Sequence, residues 1–141
     1  MDKQIQFIQL NDGWNAEPNA PEPKIKMSGT ELKLSFGLNY FVFDEFTDKD
    51  IGVLTFIDCL QYRLGPPNDE GFYNYGQSRF KKYGVQWGEF YCIENSDWLH
   101  EFPDKIVISE FKDQEEYNHF LFYFRDETFE CIAKEYSFKV V

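Results

Sequence analysis

Two runs of strict apolar–polar alternation and an aromatic hairpin pattern near the C-terminus predict a mainly β fold. The expected architecture is an antiparallel curved sheet, a sandwich or a partly open barrel of about seven strands with little helix. In residues 31–43, Leu32, Leu34, Phe36, Leu38, Tyr40 and Val42 fall on one face, and Glu31, Lys33, Ser35, Gly37 and Asn39 on the other. That period of two belongs to a half-buried strand. Residues 53–64 repeat it through Leu54, Phe56, Leu60, Tyr62 and Leu64, interrupted by Asp58. At the C-terminal end Phe120, Phe122 and Phe124 share a face, as do Phe129, Cys131 and Ala133, on either side of a turn at Arg125-Asp126-Glu127. Aromatics on both faces of such segments favour two packed layers over one exposed sheet.

The elements follow in order. Residues 5–10 read as a short strand ended by the turn chemistry of Asn11-Asp12-Gly13. Pro18, Pro21 and Pro23 hold residues 14–23 extended, because proline lacks the amide donor and biases its predecessor away from helix. This stretch is expected to be an ordered loop rather than a linker, since the few residues before it cannot fold alone. The first long strand becomes apolar on both faces at Phe41 and Phe43, so its far end should be covered. A short acidic link, 44–52, predicts antiparallel pairing with the strand at 53–64. Gly65-Pro66-Pro67 stops that strand, and a long Gly/Tyr/Asn-rich surface loop follows to Gly84, with one helical turn at 78–82. Residues 85–93 read as a strand, 96–101 as a short helix with Ser96 as N-cap, and 106–109 as a brief strand. After the hairpin the apolar phase shifts to Tyr136, Phe138 and Val140, which predicts a β-bulge near Lys134. The whole, residues 1–141, reads as a single β-rich domain.

Composition narrows the function classes. The chain has a formal net charge of −11 while 20% of its residues are aromatic. The acidic excess repels nucleic acid and anionic membranes. Nucleic-acid binding would also need a positive groove, and Arg79, Lys81 and Lys82 form the only basic cluster along the sequence. No apolar run approaches the roughly 20 residues of a membrane helix, and the polar start shows no secretory h-region. Three widely spaced cysteines, Cys59, Cys92 and Cys131, form no Cys-x-x-Cys pair, so a reducing cytoplasm is the expected setting.

Motifs for catalysis are sparse. His100 and His119 lack metal-ligand spacing, and no cofactor or metal is expected. Cys131 and His119 would approach each other across the hairpin as a Cys–His couple, although nothing marks an oxyanion hole or a third group, and a buried cysteine ordinarily packs as a small hydrophobe. Carboxylate pairs such as Glu115-Glu116 lie beside turns, where solvated acids are common. Gly84-Val85-Gln86-Trp87-Gly88 matches neither a Walker loop nor a dinucleotide fingerprint.

Charge distribution says more. Within residues 89–116 nine carboxylates face only Lys105 and Lys112, a net −7. A second acidic stretch holds Asp44, Glu45, Asp48 and Asp50 against Lys49. A plain solvated acidic surface accounts for such runs. The sharper expectation is an acidic face meeting a basic protein, made by Asp97, Trp98, Glu101, Asp104, Glu110, Asp113, Glu115 and Glu116, with Trp98 as the aromatic anchor.

Two segments carry a family resemblance. Trp87-Gly88-Glu89-Phe90 followed by Ser96-Asp97-Trp98, and His119-Phe120-Leu121-Phe122-Tyr123-Phe124 with Thr128-Phe129-Glu130-Cys131-Ile132-Ala133, resemble patterns in small bacterial proteins. Size, acidity and the lack of a catalytic motif are similar to immunity proteins of contact-dependent or polymorphic toxin systems. The resemblance covers the C-terminal third to half of the chain and carries over no residue role. It implies tight one-to-one binding of a cognate toxin domain in the cytoplasm, and the acidic face adds the expectation that this domain is basic and nuclease-like. The alternative is a β domain binding a small apolar ligand in an aromatic pocket, and an enzyme using His119 or a carboxylate pair ranks last.

Overall fold

The structure, a computed structural model, describes residues 5–65, 85–86, 88–95, 117–124 and 127–141. Within them nine strands form two antiparallel sheets, and no helix occurs. They are β1 (Gln6–Gln9), β2 (Lys24–Ser28), β3 (Glu31–Gly37), β4 (Ile51–Ile57), β5 (Gln61–Gly65), β6 (Phe90–Glu94), β7 (Asn118–Tyr123), β8 (Thr128–Ala133) and β9 (Glu135–Val140). One sheet has the order β1-β6-β7-β8-β5, the other β2-β3-β4-β9. The sheets face each other without closing into a barrel, the sandwich among the expected architectures.

The alternation in β3 works as read: Leu32, Leu34 and Phe36 are buried while Lys33 is exposed. The inner face of the four-stranded sheet packs on Phe90, Phe120, Phe122, Phe129 and Cys131 of the five-stranded one. Rings meet across the layers, Phe36 on Phe122 at 5.0 Å and Phe56 on Phe120 at 5.2 Å between centroids. The other face of the five-stranded sheet is buried too, around Tyr91, Ile93, Leu121 and Tyr123, so β7 and β8 are buried on both sides.

Residues 14–23 are the expected ordered loop. Trp14 enters the sandwich and stacks on Phe138 at 3.9 Å with parallel planes. Asn11 fixes the loop, its Nδ2 donating to the Trp14 carbonyl at 2.7 Å and its Oδ1 accepting from the Phe90 amide at 3.0 Å. Ala16 bridges to Leu38.

Several expectations are corrected. Residues 53–64 are not one strand: β4 and β5 lie in different sheets and the chain turns between them at Asp58, whose φ is +52°. The phase shift at Lys134 is no bulge but the second passage between sheets, from β8 to β9. Both passages share one corner. The Lys134 amide donates to the Ile57 carbonyl at 2.9 Å, the Leu60 amide to the Ile132 carbonyl at 2.8 Å, and Lys134 Nζ lies 3.7 Å from Asp58 Oδ2. Because β4 pairs with β9 and β5 with β8, a two-stranded ribbon folds over this corner and belongs to both layers. The first long strand ends at Gly37, and beyond it Phe41 is exposed rather than covered. The strand read at 85–93 begins only at Phe90. β2 was not expected, because five residues with two lysines and a serine carry little apolar signal. The expected helix at 96–101, strand at 106–109 and helical turn at 78–82 lie outside the described residues.

Candidate functional site

All eight acidic-face residues expected to bind a partner, Asp97, Trp98, Glu101, Asp104, Glu110, Asp113, Glu115 and Glu116, lie outside the described residues. Glu89, at the head of that acidic run, has a structural task. Its carboxylate accepts from Gln9 Nε2 at 3.1 Å, from Asn15 Nδ2 at 3.0 Å and from Asn11 Nδ2, tying β1 and the Trp14 loop to β6.

The second acidic stretch, Asp44 to Asp50, lies within the described residues. Residues 38–50 connect β3 to β4 as a chain of turns. The Phe41 amide donates to Asn39 Oδ1 at 3.2 Å, the Phe43 amide to the Asn39 carbonyl at 3.2 Å, the Phe46 amide to the Phe43 carbonyl at 3.1 Å, and the Thr47 amide to Asp50 Oδ2 at 2.8 Å. Asn39 is buried and Phe46 packs against the main core, so the loop is anchored from within. What it presents is apolar: Phe41 and Val42 are 57% and 66% exposed, and the Tyr40 ring lies 4.4 Å from that of Phe41. Asp44, Glu45 and Asp48 are exposed beside them. Phe41 and Val42 thus form an exposed apolar tip, close in sequence to three exposed acids.

Cys131 and His119 form no couple, and Cys131 packs as the core cysteine that the sequence favours. Strand pleating puts Cys131 with Phe120 in the inter-sheet core, whereas His119 is on the outer face of the five-stranded sheet. There the His119 Nε2–H donates to Glu130 Oε1 at 3.1 Å, both side chains being buried, and Arg63 Nη1 stands 4.0 Å from Glu130 Oε2. Sequence reading missed this pair because Glu130 sits in a strand that otherwise reads as apolar.

The cysteines, distant in sequence, converge. The Cys131 thiol beside Cys59 holds the Cys59 pKa below its ordinary value against the opposing effect of burial, and the Cys59 thiol donates to the Gln61 carbonyl at 3.5 Å. Burial, then Cys59, pushes Cys131 well up. Burial, then the Glu94 carboxylate, raises Cys92 to about 11, so none of these facts makes Cys92 a ready nucleophile. Cys92 also lines a groove of about 350 Å³ at the open side of the sandwich, with Leu10, Phe120 and Tyr136 as apolar walls and Asn118, Lys134 and Glu135 at the mouth. Among the described residues no group of three or more His, Cys, Asp or Glu is placed to hold a metal ion, and no helix is long and apolar enough to cross a membrane.

Fold and loop together define a two-sheet β protein that displays an internally hydrogen-bonded loop with an exposed apolar tip and exposed acids. No protein-family model, no curated protein and no solved structure matches the chain.

Proposed function

We propose that this chain is an acidic protein-binding domain of the immunity type, which binds a cognate toxin domain of basic charge and blocks it in the cytoplasm. The observation that carries the reading is the Phe41–Val42 tip, apolar and exposed yet anchored by Asn39 and Phe46. In a chain of net charge −11, acids beside such a tip steer a basic partner into contact. Trp98 and the carboxylates from Asp97 to Glu116 supply the second part of the contact in this reading.

The test is affinity capture with the tagged chain in its native cells at low salt, read by mass spectrometry, with Phe41→Ala as the paired variant. A stoichiometric basic partner, retained by the parent chain and weakened about thirtyfold or more by Phe41→Ala, supports the proposal. A partner that binds both equally removes the tip from the interface, and the absence of any basic partner in cells that express the candidate toxin removes the function.

The groove beside Cys92 favours a second reading, a small apolar ligand lying in it against Leu10 and Tyr136. An anilinonaphthalene sulfonate dye binding there would shield Cys92 from alkylation. Binding that leaves the alkylation rate unchanged places the dye elsewhere.

A further inference from the structure

The lysines of β2, β3 and β9 make a basic surface that no stretch of sequence displays. Lys26 stands directly opposite Lys33, and Lys24 lies in register line with Ser35, Val53 and Lys139. All four lysines are exposed, on the outer face of the four-stranded sheet. Glu31 and Glu135 are the acids of that face, at its end nearest the Asp58 corner, and Glu31 is 3.8 Å from Lys33 with both side chains nearly half exposed. Arg79–Lys82 is therefore not the only basic cluster. Like charges opposed across two strands are unfavourable, so Lys26 and Lys33 gain from an anion beside them.

β2 is also an edge. It pairs with β3 on one side and with no described strand on the other. Its alternate residues differ in character. Lys24 and Lys26 point outward, while Ile25 packs against the core and Met27, register partner of the fully buried Leu32, is 39% exposed at the core's lip.

We propose that β2 is a docking edge onto which an extended acidic segment of a partner protein adds as a fifth strand. The segment alternates acidic and apolar residues: carboxylates meet Lys24 and Lys26 as cross-strand pairs, apolar side chains cover Met27, and backbone amides and carbonyls complete the ladder. A second copy of this chain is a poor occupant, because β2 against β2 would bring the same lysines together; that repulsion also guards the edge against self-pairing. Nucleic acid is a poor occupant as well, since among the described residues the face offers no aromatic ring for base stacking and the chain as a whole is strongly acidic. The proposal is independent of the Phe41 tip, so the two stand or fall on separate measurements.

The probe is a fluorescein-labelled peptide of four Glu-Val repeats, titrated with the full chain and followed by anisotropy. Saturable one-to-one binding is expected, weakened about tenfold or more by Lys24→Glu with Lys26→Glu and lost when alternate peptide amides are N-methylated, an arm that needs no protein variant. Binding equal for the N-methylated peptide, binding indifferent to the lysine substitutions in a variant of unchanged Tm, or no binding would each overturn the proposal. So would a dimer through β2 detected by sedimentation, or an oligothymidylate competing for the same face.

Discussion

A methyl group added to Gly52 would lie 3.0 Å from Leu38 Cδ2 and 3.0 Å from Phe36 Cε2 and Cζ. Phe36 cannot yield easily, since its ring also meets Trp14, Phe122 and Phe124. Gly52→Ala is therefore expected to destabilise the chain by about 1–3 kcal/mol through overpacking, measured by urea denaturation. A neutral result would mean that the Phe36 ring has room to move. At Cys92 the pKa is raised from 9.0 to about 11 by burial and then Glu94. The folded protein thus keeps a proton that the unfolded chain releases, so this group's share of stability is complete below pH 9 and is lost as pH rises towards 11. Cys131 shifts in the same direction, so Cys92→Ser should lessen the alkaline fall in Tm without abolishing it. An unchanged Tm-against-pH profile in that variant would remove Cys92 as a contributor.

Among the elements, the loop from Asn11 to Pro23 carries more than its sequence suggests. Its Trp14 touches Phe36 and Phe138 of one sheet and Phe90 and Phe122 of the other, filling the gap between layers as a strand residue would. Trp14→Ala is expected to cost about 3–5 kcal/mol, read from the urea midpoint at unchanged slope. A loss below about 1 kcal/mol would show that the loop merely covers a core already complete. The loop after β3 is organised differently, with Phe46 inward and Phe41 outward, which is how one hydrogen-bonded connection both anchors itself and presents an apolar tip.

At the scale of the whole molecule, the described residues separate two kinds of charge. Asp44, Glu45 and Asp48 stand together beside the Phe41 tip, while lysines gather on the outer face of the four-stranded sheet. Reversing Asp44 and Glu45 to lysine should slow association with a basic partner about tenfold or more at low ionic strength, and have little effect near 1 M salt, where the Debye length falls to about 3 Å. Stopped-flow association rates at the two salt levels provide the check. A salt-independent difference would assign the effect to lost packing rather than steering.

Much of this fold was legible because a half-buried strand must alternate: Leu32, Leu34 and Phe36, like Phe120 and Phe122, declare their inward face locally, and so does the antiparallel pairing of β3 with β4. The short, lysine-bearing β2 was illegible because edge strands bury little, and the corners at Asp58 and Lys134 looked like interruptions of single strands because a change of sheet and a break in period leave the same trace. The candidate site divides similarly. The acids at 44–50 could be counted from the chain, but the exposure of Phe41 could not, since its composition argues for burial. The lysine face and the meeting of Cys59 with Cys131 exist only through register between strands distant in sequence, and the His119–Glu130 pair through the register of the β7–β8 hairpin. Composition and periodicity are local properties and so determined the β class, the layered core and the charge. Which strands neighbour one another, which aromatic is left outside and which like charges are forced together were decided only when the ribbon folded over its corner, because that step alone sets long-range register.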